Sequence, residues 1–192
     1  MIITAEHIQA NVKYLGQTTF SKEILKDSLE LAQKRIEASK QYMQDHERTD
    51  RGWNNEHIAR IGTLAEMIAI KYLTDNKIPH HNFAATTEGI NTNPDIIVGE
   101  HNYDVKGIDV VIKEFRVNFN AHWRKEKRVT DYWFIKITGT AHADHYLCNK
   151  NFITQWQIND KSYSKFYFLP ESDIISAQLP IVSIPQLAMP FE

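Results

Sequence analysis

Asn93-Pro94-Asp95-Ile96-Ile97-Val98-Gly99-Glu100-His101-Asn102-Tyr103-Asp104-Val105-Lys106 is the stretch that decides how the chain is read. Ile96, Ile97 and Val98 predict a short strand. Tyr103 to Asp109 predicts a second, and Gly99 to Asn102 supplies turn residues between them. Side chains alternate along a strand, so Asp104 and Lys106 share a face. A turn closing symmetrically over those four residues sets Val98 opposite Tyr103. It then sets Asp95 opposite Lys106, with Asp104 diagonal on the same face. Direct neighbours of this kind lie roughly 4.5–5.5 Å apart, near enough to share one metal ion or one water.

Two carboxylates beside a lysine form a charged cluster that needs compensation. Like charges disfavour each other, and a cation favours both. Hard divalent ions such as Mg2+ take carboxylate oxygens and keep several waters. A nearby lysine can orient or deprotonate such a water, or stabilise charge on a phosphate. The plain alternative is a surface hairpin with a salt bridge from Lys106 to Asp95.

Pro94-Asp95, eight residues, then Asp104-Val105-Lys106 resembles the motif of the PD-(D/E)xK, or restriction-endonuclease-like, nuclease superfamily. The string is loose, and its hairpin setting makes it moderately specific. The resemblance implies a metal-dependent nuclease. Asp95 and Asp104 would bind Mg2+, or Mn2+ in its place, with the Val105 carbonyl as a further oxygen ligand. Lys106 would position the attacking water and stabilise the transition state. In the superfamily a helix preceding the hairpin often supplies one more acidic ligand, and Glu66 matches that role. The resemblance covers roughly residues 54–138.

Length and composition agree with a soluble globular chain. At 192 residues one domain, 1–192, is expected, with a good core. A net charge of −2 gives no global basic signature, so a nucleic-acid partner needs a local patch or metal ions. Cys148 is the one cysteine, so no internal disulfide forms, which fits a reducing cytoplasm. There is no run of about 18 apolar residues and no basic-then-apolar start. A cytoplasmic protein is expected, with neither a membrane nor a small organic cofactor as partner.

Ala5 to Leu15 suits a short helix. From Ser21, a plausible N-cap, to His46, Leu25, Leu29, Ala32, Ile36, Ser39 and Met43 mark one face of an amphipathic helix. This helix packs on the domain or on a second subunit. The loop 47–54 carries Arg48, Arg51 and Trp53. The next helix, to about Asp75, has Ile58, Ile61, Ala65, Ile68, Ala69 and Tyr72 as its apolar arc. Arg60, Thr63, Met67 and Lys71 lie opposite. Glu66 sits at the edge of the arc, where a carboxylate needs a partner. His80 and His81 are adjacent, point different ways, and read as structural or solvated.

Beyond Lys106, Val110-Val111-Ile112 reads as a continued buried run. Phe115, Val117 and Phe119 then alternate with Arg116, Asn118 and Asn120. That polar face suits phosphates or base edges. His122, Arg124, Lys125, Lys127 and Arg128 follow in the most basic patch, with Trp123 among them. A solvated loop is the other reading of this run. Asp131 to Ile137 predicts a central strand, 145–148 a short strand holding Cys148 in the core, 151–157 a short helix, and 165–169 a strand stopped by Pro170. Pro180, Pro185 and Pro190 suggest an extended arm. The N-terminal helix 21–46 and the region 145–192 read as additions to the core.

The expected class is therefore α/β, a mixed central β-sheet flanked by helices with a restriction-endonuclease-like core. The expected function is a Mg2+-dependent endodeoxyribonuclease of restriction type, a homodimer on double-stranded DNA, since a palindromic site matches a two-fold axis. Junction, phage and repair nucleases stand behind it. A catalytically silent module of the same fold would bind without Mg2+. An unrelated metal-free enzyme would use the histidines.

Overall fold

The computed structural model describes residues 2–45, 56–82, 94–119, 122, 128–159 and 165–182. Chain order is α1 (Ala5–Asn11), β1 (Val12–Thr19), α2 (Lys22–Asp45), α3 (Glu56–Asp75), β2 (His81–Asn82), β3 (Ile96–Val98) and β4 (His101–Ile108). Then come β5 (Glu114–Asn118), β6 (Asp131–Thr138), β7 (His142–Asn149), α4 (Lys150–Ile153), β8 (Gln157–Asn159), β9 (Phe166–Pro170) and α5 (Glu171–Ser176). The central sheet has the order β1-β7-β6-β4-β3-β2, and β5-β9-β8 form a second sheet. β4 and β6 are parallel and every other pairing is antiparallel. The expected mixed α/β class is what the chain forms.

Two apolar cores lie on the two faces of the central sheet. Leu64, Ala65, Ile68 and Leu73 of α3 pack against Tyr103, Val105, Trp133 and Ile135 on one face. Ile108, Tyr132, Phe134 and Cys148 on the other face meet Phe115, Val117, Tyr167 and Leu169 of the second sheet, with Ile8, Phe152 and Ile174 from helices. β6 is buried along all but its last residue, as its β-branched and aromatic run predicts. α2 packs across α3 and forms an outer layer. No helix among the described residues is long and apolar enough to cross a membrane.

Several expectations change. Residues 12–19 are a strand rather than the end of a helix; the helix stops at Asn11. Ser21 does cap α2, its Oγ accepting from the Ile24 N–H at 3.3 Å. The buried stripe of α2, however, is Ser28, Ala32 and Ile36 with Ile24, so Leu25 and Leu29 turn outward at 38% and 39% exposure. Thr63, expected on the open side of α3, is buried because Arg35 of α2 donates to its Oγ1 at 3.1 Å. Val110 and Val111 form an exposed turn rather than a buried run. Pro170 ends β9 as expected, and the helix α5 follows it directly. Cys148 is buried, so burial pushes its thiol pKa up, as befits a core residue. The expected loop 47–54, and all of the expected arm beyond Val182, lie outside the described residues.

Candidate active site

The hairpin forms where expected, but its register differs by two residues. Val98 pairs with His101, Ile97 with Asn102 and Ile96 with Tyr103. The turn is Gly99-Glu100 alone, with φ +57° at Gly99 and no positive φ at Glu100. That is the pattern of a two-residue II′ turn, which needs glycine in its first central place. Asp95 lies just before the ladder, its N–H donating to the Tyr103 carbonyl at 2.9 Å, and so does not stand opposite Lys106. A slip of two keeps every side chain on its face, whereas a slip of one reverses them all. Asp104 and Lys106 share a side by alternation along β4.

β3 pairs with β4 only over residues 101–103. From Asp104 onward, β4 has no ladder partner on that edge among the described residues. Asp95 takes up part of this opening: its carboxylate accepts from the Val105 N–H at 2.7 Å. Asp104 is 1% exposed, and its carboxylate pairs with the Lys106 ammonium. These two project to the face away from α3, since Tyr103 and Val105 pack toward it.

Glu66 arrives from α3, on the other face. Its side chain is 16% exposed and lies 2.7 Å from an Arg35 guanidinium nitrogen of α2. The Arg35 charge is the larger part of this contact, and a hydrogen bond from the guanidinium adds to it. Burial and the Asp95 charge push the Glu66 carboxyl up to about 8, against the opposing pull of Arg35 and Lys106. Glu66 thus feels both Asp95 and Lys106 across the open stretch of the β4 edge. One helix and two strands bring these charges together. Arg35, which the sequence reading passed over, completes the cluster. It stands three residues after Ala32 and one before Ile36, on the buried stripe of α2, and that spacing was its one signal.

Gly107 sets how near α3 comes. A Cβ there would lie 2.5 Å from the Ile61 carbonyl oxygen. The helix backbone therefore rests on β4 where only glycine fits.

The implied Mg2+ finds a donor set of the right chemistry, hard carboxylate oxygens, with Glu66 raised by burial and by the Asp95 charge. Among the described residues, however, no three acidic, His or Cys side chains are grouped so as to hold a metal ion. Asp95 is engaged by the Val105 N–H and Asp104 by Lys106.

The candidate nucleic-acid residues are dispersed. Arg116 and Asn118 lie on β5, in the second sheet. Arg116 pairs with Glu114 at 3.2 Å and sits over the Phe166 ring at 5.5 Å. Asn118 and Arg128 are exposed. His122 is a correction: at 3% exposure, with Nδ1 2.9 Å from the Tyr132 hydroxyl, it belongs to the interior and not to a basic surface. Asn120, Arg124, Lys125 and Lys127 lie outside the described residues.

No family model, curated protein or solved structure matches the chain.

The raised Glu66 carboxyl sets a pH dependence. Its folded pKa, about 8, exceeds the ordinary 4.5, so the folded state binds the extra proton between those values. Unfolding then releases a proton, and stability falls as pH rises from 4.5 toward 8. In metal-free buffer the melting temperature is expected to decline over that window. Glu66→Gln is expected to flatten the slope. An unchanged slope in that variant would show that Glu66 titrates normally.

Proposed function

We propose that the protein is a Mg2+-dependent endonuclease that hydrolyses DNA phosphodiester bonds. The observation that carries the reading is the set of charges around β4: Asp104 pairs with Lys106 on one face, and Glu66 on the other has its carboxyl raised first by burial and then by the Asp95 charge, with Lys106 pulling the other way. Carboxyls perturbed by burial and a specific charge partner cluster at functional sites. The resemblance of Pro94-Asp95 and Asp104-Val105-Lys106 to the PD-(D/E)xK motif supports the same conclusion, as does the mixed sheet with a helix before the hairpin.

In this reading Asp95 and Asp104 hold the ion, and Glu66 completes the shell. The Val105 N–H points to Asp95. N–H and C=O of one strand residue point to the same side, so the Val105 carbonyl faces that edge too. Lys106 keeps a proton-donating ammonium beside Asp104, where it orients a water or meets a phosphate oxygen. Mg2+, when bound, supplies Lewis-acid polarisation of the phosphate and a more acidic water. The finer assignment is a restriction-type enzyme acting on double-stranded DNA as a homodimer.

A second reading is a silent DNA-binding module of this architecture. It is favoured by one fact: the Arg35–Glu66 and Lys106–Asp104 pairs already satisfy two of the carboxylates. Supercoiled and linear DNA incubated with Mg2+, Mn2+ or EDTA separates the two. Cleavage that EDTA stops supports the nuclease, and discrete fragments support the restriction type. Metal-independent binding without any nicking supports the silent module.

A further inference from the structure

We infer that Tyr132 is the positioning residue for Lys106, with His122 fixing the tyrosine from behind; the inference rests on the nuclease reading above. β4 and β6 run parallel, with Asp104 beside Tyr132 and Lys106 beside Phe134. All four side chains share the face turned toward the second sheet. Lys106 Nζ lies 5.8 Å from the centre of the Tyr132 ring, within cation–π range, while pairing with Asp104.

A lysine is a point charge on a flexible four-carbon stem. Left to itself at 26% side-chain exposure, it samples many rotamers. The tyrosine face holds the charge without an acceptor oxygen. The ammonium therefore keeps N–H donors for a phosphate or a water beyond the one directed at Asp104.

Tyr132 is itself immobilised. It is 1% exposed, its hydroxyl is 2.9 Å from His122 Nδ1, and the two rings stack at 5.8 Å. Phe134 stacks on it at 6.2 Å. His122 in turn meets the Tyr167 ring of β9 edge-on at 5.4 Å. A line of rings thus runs from the second sheet through His122 and Tyr132 to the lysine. This gives the second sheet, which the nuclease motif does not include, a part in the site.

The test labels lysine ε carbons with 13C and identifies Lys106 by its loss in Lys106→Ala. In the wild-type protein the Lys106 ε protons are expected upfield of the other lysines through the Tyr132 ring current. Tyr132→Leu moves them to the position of a solvated lysine and lowers kcat for DNA cleavage about tenfold, with KM unchanged. Tyr132→Phe, which keeps the ring, recovers both the shift and the rate. A wild-type Lys106 signal at the solvated position overturns the inference on its own, even where Tyr132→Leu does not fold. So does a folded Tyr132→Leu protein with wild-type kcat. Lys106→Ala that cuts DNA as well as wild type defeats the placing of the site at Lys106 instead, and wild-type protein that cuts no DNA with Mg2+ or Mn2+ defeats the nuclease reading; the wild-type ring-current shift stands in either case.

Discussion

Lys106→Ala and Asp95→Ala are each expected to lower Mg2+-dependent DNA cleavage by about 10²–10³-fold, the usual cost of deleting a group that meets developing charge. The Lys106 side chain is 26% exposed, but its loss also leaves the buried Asp104 carboxylate without its ammonium partner, so a lower melting temperature is expected as well and rates are compared below it. Asp95 needs a control, because its carboxylate also receives the Val105 N–H. Asp95→Asn keeps an oxygen that can accept that bond and removes the charge. If Asp95 acts as an ion ligand, Asp95→Asn is as inactive as Asp95→Ala. If Asp95→Asn cuts normally, Asp95 is only a cap for the β4 backbone. Measured rates with supercoiled DNA at saturating Mg2+ decide between them.

Gly107→Ala is expected to destabilise the fold by about 1–3 kcal/mol, the range for overfilling a packed site. For a chain of this size that is a fall of roughly 2–12 °C in melting temperature. The sign is the informative part. On unfolded-state grounds alone, glycine to alanine stabilises by about 0.4–1 kcal/mol. Here the new Cβ would stand 2.5 Å from the Ile61 carbonyl and 2.9 Å from its carbon, atoms of a helix backbone that cannot rotate aside. The helix has to lift off the strand as a unit. Glu66 lies on the same helix a little more than a turn from Ile61, so it is carried away from Asp95 and Lys106. Cleavage should fall together with stability. A Gly107→Ala protein melting at or above wild type would show that α3 does not press on β4 as described.

Much of this was readable from residue types. The Ile96–Val98 strand, the β6 run and the burial of Ala65, Ile68 and Tyr72 follow from periodicity. Asp104 and Lys106 share a side because alternation along β4 does not depend on the hairpin register. What escaped has physical causes. Gly99-Glu100-His101-Asn102 is polar throughout, so loop length was not evident, and the positive φ at Gly99 chose the shorter turn. Val110 and Val111 are apolar yet exposed because the strand ends at Ile108 and a turn follows. On α2 the apolar spacing pointed to Leu25 and Leu29, but the helix is rolled so that Ser28 and Arg35 face α3. Arg35 does so because it answers Glu66, a partner remote in sequence. His122 looked like part of a basic surface and turned out to be held inside by Tyr132, 10 residues further on.

The borders of the central sheet carry a consequence for assembly. β2 is two residues long, and β1 changes register between Tyr14 and Gly16 as at a bulge. At that same point Ile181 bridges to Tyr14, and the Val182 N–H donates to the Tyr14 carbonyl at 2.9 Å. Among the described residues, the kink and the chain's own later segment leave little free backbone along the β1 margin to recruit a foreign strand. Addition of a foreign strand along β1 is thereby discouraged.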